Sequence, residues 1–326
     1  MSDQQHDRGA VFVTGTSTGI GAATALHLAE EGFRVFAGVR KTSDGEALAA
    51  RAANGLTPVT IDITDEATIS AAVATVAAAV GTRGLAGLVN NAGIVKPAPL
   101  EHQPLADFRS QLEVNLVGQL AVTQAFLPLI RLGRGRIVNV GSIGGRVVLP
   151  LHGAYSCSKF GMEALSDALR LELRQWRIPV VHVDPGATET AIFGKTLAAL
   201  DGLESTLGQE GYERYAPQIA VMRKTVEKTA SDTAPALDLA KAIATGLMSD
   251  KPKSRYHAGK GAEEAIALAR VASDSIKDRA IAHEVGPAEA GVTPSPVRRG
   301  RLQRAGRRVD SPARRRSSAP GPRSRP

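Results

Sequence analysis

The chain has 326 residues, enough for one large α/β domain or two small ones. Its composition, 43% hydrophobic and 22% charged, is ordinary for a soluble globular protein. A single cysteine excludes an internal disulfide framework and a clustered cysteine metal site. The N-terminus is polar and no apolar run approaches about 18 residues. We therefore expect a flexible N-terminal segment over residues 1–8, no secretory signal, no membrane span and a cytoplasmic location.

The net charge of +8 is concentrated at one end of the chain. Residues 297–326 contain 11 arginines and one acidic residue, a net charge of +10, which leaves −2 for the remainder. This segment has too few apolar residues to form a core, so we expect a disordered tail over 286–326. Contact with nucleic acid or with an anionic membrane is the alternative to a merely solvated extension.

Short apolar runs alternate with helical stretches in the first half of the chain. This alternation predicts right-handed βαβ units and a single α/β domain over 9–285, with a Rossmann-like doubly wound parallel sheet and helices on both faces. Residues 190–233 are polar and helix-prone, and we expect them to lie above the sheet. Helical patterns return at 235–249 and 261–283, on either side of a possible strand. The six predicted strands are 10–15, 33–39, 58–63, 85–93, 135–142 and 179–186.

The first predicted strand runs into the glycine-rich sequence TGTSTGIG, which contains Gly15, Gly19 and Gly21. Backbone N–H groups at such a turn, together with the helix that follows, suit a phosphate group, although a tight turn that binds nothing is the alternative. The second strand ends in GVRK, without the acid that usually holds the ribose hydroxyls of NAD(H). Arg40 could contact a 2′-phosphate, which favours NADP(H). It could also be a solvated charge or stack on adenine, so NAD(H) stays possible.

Tyr155 and Lys159 are four residues apart and share one face of a predicted helix. A nearby ammonium favours the ionised form of a phenol, so the two residues can form an acid/base pair. Cys157 points to another face. His152 either borders a substrate pocket or has only a structural or surface role. No histidine or cysteine spacing is typical of a metal site, and we predict none.

TGTSTGIG, NNAG at 90–93, Asn115, Ser142 and the Tyr155–Lys159 pair occur in the order and spacing of the short-chain dehydrogenase/reductase family. The chain resembles this family over residues 9–283. The sequences VFAGVRK and KSRYHAG are most similar to its branch of hydroxysteroid and retinol dehydrogenases. The resemblance implies an NADP(H)-dependent oxidoreductase that interconverts an alcohol and its ketone or aldehyde.

The family's catalytic roles carry over to four residues of this chain. Tyr155 is expected to be the acid/base group, and Lys159 to lower its pKa and hold the nicotinamide ribose. Ser142 is expected to hold the substrate oxygen. Asn115 is expected to kink its helix and to anchor a water in the proton relay to Lys159.

The resemblance also implies where the cofactor and the substrate bind. Residues 190–233 are expected to be a substrate lid, whose apolar residues indicate an apolar substrate. The apolar lid residues are Ile192, Phe193, Leu197, Leu200, Leu203 and Leu207. Besides Tyr155 and Lys159, the expected cofactor-binding residues are Gly15, Ser17, Thr18, Gly19, Ile20, Gly21, Arg40, Asp62, Ile63, Asn91, Ala92, Gly93, Pro185, Gly186, Thr188 and Thr190.

We expect a homodimer or homotetramer, because many family members pair through the two long helices predicted near 105–131 and 153–176. The alternative is that these helices only cover the sheet. The expected seam consists of Leu165, Ala168, Leu169 and Leu173. Two further hypotheses for the protein are a cofactor-binding regulator without turnover, and a family member tethered to nucleic acid or membrane by its basic tail.

Overall fold

A computed structural model describes residues 8–53 and 55–285 of the chain. The predictions for the tail 286–326, and for the flexible N-terminal segment 1–8 apart from Arg8, lie outside these residues. The described residues contain a seven-stranded parallel sheet of order β3-β2-β1-β4-β5-β6-β7. The strands are β1 (Ala10–Val13), β2 (Arg34–Val39), β3 (Leu56–Thr60), β4 (Gly87–Asn90), β5 (Arg136–Val140), β6 (Val180–Pro185) and β7 (Arg255–Ala258).

Helices connect the strands and cover both faces of the sheet, which confirms the predicted doubly wound fold. All six predicted strands are present, and the possible strand near residue 255 is β7. The helices are α1 (Gly19–Glu30), α2 (Thr42–Ala49), α3 (Glu66–Val80), α4 (Leu105–Leu112), α5 (Gly118–Gly133), α6 (Gly153–Glu172), α7 (Ile192–Asp201), α8 (Leu203–Ala230), α9 (Ala236–Met248), α10 (Ala262–Val271) and α11 (Asp274–Val285).

The strands are apolar almost throughout because they are buried on both faces. Phe12 in β1 points toward α5, where its ring stacks on Phe126 with centroids 4.4 Å apart. Its neighbours Val11 and Val13 point to the opposite face, into a core that includes Leu28 of α1. This alternation places one hydrophobic core on each side of the sheet.

The strand order reverses direction at β1, which pairs with β2 on one side and with β4 on the other. The connections that follow β1 and β4 therefore run to opposite faces and leave a crevice at the carboxyl edge of the sheet. In open α/β sheets ligands bind at this position.

Three predicted helical regions differ in detail from the structure. The predicted helix 105–131 contains a π-helical turn at Glu113–Val117, between α4 and α5. The region 261–283 divides into α10 and α11. Residues 190–233 form α7 and α8, and α8 is kinked at Gly208, where φ is 70°.

Among the described helices, one region is long and apolar enough to cross a membrane, judged by length and composition alone. This region is Leu105–Gly133. Val122, Phe126 and Ile130 of this region are fully buried in the core against the sheet. The region also carries buried glutamine, asparagine and threonine side chains that are hydrogen-bonded within the fold. These side chains form the core-facing side of the region, of whose apolar window 33% is buried.

The predicted subunit seam on the second long helix is only partly available. Leu169 and Leu173 are buried in the protein's own core, and Leu165 packs against it, so these leucines cover the sheet. Ala168 is exposed. The prediction was wrong for the two buried leucines. The helical repeat shows that one side of the helix is apolar, but it does not show whether that side packs against the sheet or against another subunit.

Candidate active site

Tyr155 and Lys159 lie one turn apart on the face of α6 that is turned toward the sheet. The Lys159 Nζ atom is 5.8 Å from the centroid of the Tyr155 ring. Lys159 is only 6% exposed, and its Nζ donates a hydrogen bond of 3.0 Å to the carbonyl oxygen of Val140. Since Val140 is the last residue of β5, this bond fixes α6 at the carboxyl edge of the sheet.

Ser142 lies two residues after the end of β5, beside Tyr155. Its Oγ accepts a hydrogen bond of 3.0 Å from the Gly144 N–H and is also hydrogen-bonded to the Tyr155 side chain. The structure therefore brings Ser142, which follows β5, to Tyr155 and Lys159 on α6. A serine hydroxyl beside a phenol can orient a substrate oxygen toward the phenolic proton.

Asn115 lies in the π-helical turn, so the expected distortion of its helix is present. Its Oδ1 accepts from the Ile94 N–H at 2.8 Å, and its Nδ2 donates to the Ile94 carbonyl at 2.9 Å and to Ser158 Oγ at 3.0 Å. Ser158 in turn donates to the Tyr155 carbonyl at 2.6 Å. The sequence analysis missed Ser158, although its place next to Lys159 in the motif was visible.

The electrostatics of the pair differ from the expectation that Lys159 lowers the pKa of Tyr155. Burial raises the pKa of Tyr155, and the hydrogen bond with Ser142 opposes this effect only in part. Burial also lowers the pKa of Lys159 to about 8, against the opposing charge of Asp184. The protein's own groups therefore keep the phenol protonated at neutral pH.

The glycine-rich loop after β1 is braced by the segment that follows β4. Thr14 Oγ accepts hydrogen bonds from the N–H groups of Asn91 and Ala92 at 2.9 and 3.0 Å. Asn91 Nδ2 donates to the carbonyl oxygens of Thr14 and Gly15 at 2.9 and 3.1 Å. Gly15 has φ 68°, and a Cβ atom there would lie 2.7 Å from Ala92 Cα. The NNAG sequence thus holds the loop in shape.

The first turn of α1 can accept an anion. Thr18 precedes the helix in extended conformation, and among the described residues its side chain makes no capping hydrogen bond. The turn carries no acidic side chain, Ser17 and Thr18 are exposed, and Ile20 is half-buried. The uncapped N–H groups and the positive helix end fit the phosphates of a dinucleotide.

Arg40 and Asp62 lie close together at the carboxyl ends of β2 and β3. Hydrogen bonds from the backbone and side chain of Thr64, and then the charge of Arg40, keep the pKa of Asp62 below its usual value. Arg40 is exposed, whereas the Ile63 side chain is buried in the main core. Arg40 and Asp62 are thus available to the adenosine end of a dinucleotide, and the Ile63 side chain is not.

The turn after β6 completes the crevice. Thr188 is buried, and its hydroxyl donates to the Gly186 carbonyl at 3.1 Å, so it serves the turn itself. Thr190 lies against Gly19, where an added Cβ would be 3.1 Å from the threonine Cβ. Pro185 and Gly186 are half-buried at the strand end.

Gly93, in the segment after β4, lies between Asn115 and Lys159. A Cβ atom on Gly93 would be 3.4 Å from Asn115 Oδ1 and 3.9 Å from Lys159 Nζ.

The structure places His152 beside Tyr155 and Cys157 away from it. The two aromatic rings meet edge to face with centroids 6.3 Å apart, and His152 Nδ1 lies 3.2 Å from the Pro150 carbonyl. Burial lowers the pKa of His152, so its imidazole is neutral at neutral pH. Cys157 is exposed, as its position on the helix predicts.

A buried charged cluster behind the site has no counterpart in the sequence analysis. One side-chain ligand atom of each of Glu163, His182 and Asp184 lies within 4.8 Å of the others, a spacing that could hold a metal ion. Glu163 also accepts hydrogen bonds from Arg146 and Arg255. Because these residues come from α6, β6, β7 and the loop after β5, no local spacing in the sequence reveals them. The predicted absence of a metal stays a prediction.

Comparison with known proteins identifies the class that this fold and site define. The family model for short chain dehydrogenases matches residues 9–201. A short-chain dehydrogenase structure from Streptomyces avermitilis has a TM-score of 0.69 at 28% identity and covers 87% of this chain and 97% of its own. One from Burkholderia cenocepacia, in complex with NADP, has a TM-score of 0.62 at 25% identity and covers 83% and 96%. The chain belongs to the short-chain dehydrogenase/reductase family and is an oxidoreductase.

Curated relatives place the chain in a particular branch of that family. Human retinol dehydrogenase 16 is 38% identical over 254 residues, covering 76% of this chain and 80% of the relative. Human 17-beta-hydroxysteroid dehydrogenase type 6 is 36% identical over 260 residues, with the same coverage of both chains. These similarities confirm the hydroxysteroid and retinol dehydrogenase-like branch, whose members interconvert alcohols and carbonyl compounds.

We predict that Gly21→Ala disrupts the glycine loop. The added Cβ would lie 2.2 Å from the Gly15 carbonyl oxygen and 2.4 Å from Asn91 Nδ2, so the braced loop must move. We expect a loss of about 1–3 kcal/mol in the free energy of unfolding, measured by urea titration. Gly194→Ala is the matched control, because its Cβ would meet nothing within 4 Å in α7 and should leave stability unchanged or raise it. Equal stability of the two variants would contradict the described bracing.

Proposed function

We propose that the protein is an NADP(H)-dependent oxidoreductase in which Tyr155 exchanges the proton with the alcohol or carbonyl oxygen. The observation that carries the proposal is the convergence of Tyr155, Lys159, Ser142 and Asn115 at one end of α6, beside the braced glycine loop. General acid/base catalysis requires a titratable group within hydrogen-bonding reach of a positioned substrate oxygen. Ser142 supplies that positioning.

The side chains divide the proton chemistry between the two directions of the reaction. In reduction, the protonated phenol of Tyr155 donates its proton to the carbonyl oxygen, and its raised pKa keeps that proton available at neutral pH. In oxidation, the phenolate must accept the proton of the alcohol, and the Lys159 ammonium stabilises this negative charge. A bound nicotinamide cofactor supplies or accepts the hydride.

Arg40 supports the preference for NADP(H). It is exposed at the end of β2, where a dinucleotide-binding fold places the adenosine ribose, and a guanidinium suits a 2′-phosphate. Asp62 lies near Arg40 and its carboxylate is held by Thr64, with hydrogen bonds of 3.0 Å from the N–H and 2.7 Å from the hydroxyl. A relative named for its use of NADPH also supports the preference for NADP(H). This relative is the NADPH-dependent 3-dehydrocapnine reductase of Ornithobacterium rhinotracheale, which is 32% identical over 249 residues, covering 75% of this chain and 86% of the relative.

The proposed substrate is an apolar alcohol or its carbonyl compound, enclosed by the lid of α7 and α8. The names of the retinol and hydroxysteroid dehydrogenase relatives support this class. The apolar lid residues support an apolar substrate less directly than their sequence suggests, because several of them pack within the protein. Leu200 and Leu203 are buried in a core cluster that also contains Ala98 and Leu151 from outside the lid. Phe193, Leu197 and Leu207 pack against this cluster.

We predict that Tyr155→Phe abolishes most of the turnover. Removing a general acid/base group typically costs about 10²- to 10⁴-fold in rate, and we expect a loss of about 10³-fold in NADPH oxidation with a panel of ketones and aldehydes. NADPH affinity should stay within about twofold of the unsubstituted protein, since phenylalanine keeps the shape of the ring. Tyr256→Phe is the matched control, because its hydroxyl accepts a hydrogen bond from Lys253 N–H and takes no part in the site.

The same experiment separates the enzyme from a regulator that only binds the cofactor. Tight NADPH binding without turnover across retinoids, steroids, simple ketones and aldehydes would support the regulator. Turnover that survives in Tyr155→Phe would contradict the proposed role of the tyrosine.

We predict that Arg40→Ser weakens NADPH binding selectively. Loss of a charge-assisted hydrogen bond of about 1.5–3 kcal/mol corresponds to a rise of roughly 10- to 150-fold in the NADPH dissociation constant. The NADH dissociation constant should change little, because NADH has no 2′-phosphate. Both constants are measured by fluorescence titration. Arg174→Ser, an exposed arginine just after α6, is the control. An equal loss of affinity for both nucleotides would contradict the 2′-phosphate contact.

We also propose that the protein is a cytoplasmic homodimer or homotetramer. Val117 in the π-helical turn and Phe160 and Leu171 on α6 are exposed apolar side chains on the two long helical regions, which supports association through them. Burial of the core residues of Leu105–Gly133 against the sheet supports the location. A cell fraction in which the protein remains with the membranes would contradict it.

We predict that Phe160→Asp shifts the oligomer toward smaller species. A carboxylate buried in an apolar interface costs several kcal/mol, so sedimentation velocity should show a loss of the largest species. Val271→Asp is the control, since Val271 is 86% exposed on α10. An unchanged distribution for Phe160→Asp would contradict an interface on α6.

A further inference from the structure

A row of polar side chains crosses the sheet beneath α6. Asn90, Asn139, His182 and Arg255 are register partners on β4, β5, β6 and β7. Asn90 Nδ2 donates to Asn139 Oδ1 at 2.9 Å, and Asn139 Nδ2 donates to Ser166 Oγ at 2.9 Å. Ser166 Oγ lies 2.8 Å from His182 Nδ1. This row is a continuous hydrogen-bonded network in an otherwise apolar core.

The network defines the protonation of His182. Ser166 uses its own proton in a bond of 2.7 Å to the Met162 carbonyl, so its Oγ must accept from His182 Nδ1. His182 Nε2 lies 3.0 Å from Asp184 Oδ1 and 3.2 Å from Glu163 Oε1, and it must donate to them. Both ring nitrogens therefore carry protons, and His182 is an imidazolium. The carboxylates outweigh the effect of burial and raise its pKa.

The charges in the cluster are matched to one another. Glu163 accepts from Arg146 and Arg255 as well as from His182. An imidazolium with protons on both nitrogens cannot ligate a metal, and Glu163 is already neutralised by two guanidinium groups. With His182 in this protonation state, the cluster is a network of ion pairs.

Asp184 lies two residues nearer the carboxyl end of β6 than His182. It is fully buried, with Oδ1 on His182 and Oδ2 3.4 Å from Nδ1 of its register partner His257. A Cβ atom on Gly141 would lie 2.1 Å from His182 Nε2 and 2.8 Å from Asp184 Oδ1. His182 and Asp184 thus pack against the backbone of Gly141. This residue lies between Val140, whose carbonyl accepts the Lys159 hydrogen bond, and Ser142.

We propose that Asp184 is a positioning residue whose buried carboxylate, paired with His182, keeps the Lys159 ammonium charged beside Tyr155. The inference rests on the proposed function only for the role of Lys159 in turnover. Lys159 is almost completely buried, and burial disfavours an ammonium. The charge of Asp184 opposes this effect, so Lys159 retains its proton to about pH 8.

Several other titratable or charged groups lie on the elements packed around Asp184 and Lys159. Asp167 on α6 pairs with Arg255 at 2.9 Å and is the most remote acid of the network. The remaining titratable or charged groups are Tyr155 and Glu163 on α6, His182 on β6, Arg255 and His257 on β7, and Arg146 in the loop after β5.

The test measures the titration of Lys159 directly in the full chain. Lysine is labelled with ¹³C at Cε, and the Lys159 signal is assigned by its loss in Lys159→Met. We expect Asp184→Asn to lower the titration midpoint of Lys159 by about one pH unit, because an adjacent negative charge has been removed. Asp184→Glu, which keeps the charge, should hold the midpoint within a few tenths of a unit. Asp167→Asn is the matched control and should also leave it in place.

An unchanged Lys159 midpoint in a folded Asp184→Asn protein would overturn the proposal. Folding is checked by thermal unfolding, and if the asparagine variant does not fold, Asp184→Ser removes the same charge with a smaller side chain. A midpoint that falls equally in Asp167→Asn would also overturn it, since the effect would then belong to the whole network.

A second readout separates this inference from the proposed function. NADPH affinity should fall as Lys159 loses its proton, and in Asp184→Asn this fall should occur about one pH unit lower than in the unsubstituted protein. Failure of the unsubstituted protein to bind either nucleotide would reject the proposed function, while the lysine titration would still decide the role of Asp184. Normal binding with superimposable pH profiles would reject the role of Asp184 alone.

Discussion

The hydrogen bond from Lys159 Nζ to the Val140 carbonyl connects the longest helix against the sheet to the end of β5, and the rest of the site depends on it. Tyr155 lies one helical turn before Lys159, and Ser142 lies two residues after Val140. Fixing that single donor and acceptor therefore places the phenol beside the serine. The bond also requires a buried ammonium, whose desolvation the surrounding structure must offset.

The Asp184 carboxylate, which the polar row beneath α6 holds through His182, provides this compensation. An apolar face at these positions would pack equally well but would offer no negative charge near Lys159. The described network instead satisfies most of its donors and acceptors, and buried polar groups that are mutually satisfied favour one arrangement over its neighbours. Asn139, Ser166 and His182 are thus part of the same electrostatic environment as the active site, although none of them lies at the carboxyl edge.

The sequence was sufficient to predict the parallel sheet, because continuous apolar runs identify strands that are covered on both faces. It also predicted the residues around Tyr155, since their helical spacing and order are local properties. It could not predict the Glu163, His182 and Asp184 cluster, which arises from strand register and helix docking. The raised pKa of Tyr155 was missed because burial, which opposes Lys159, is a property of the folded chain. Leu169 and Leu173 were misassigned for a similar reason.

Most residues of the proton chemistry and of the charged network belong to one consecutive strand–helix–strand segment, β5–α6–β6. The exceptions are Asn115, Asn90 on β4, and Arg255 and His257 on β7. Arg40, on which the proposed choice of nucleotide depends, lies about a hundred positions earlier, on the far side of the sheet's central strand. Sites without shared contacts contribute nearly independently to binding and stability. The proposed nucleotide preference can therefore be altered by evolution or design without changing the acid/base chemistry.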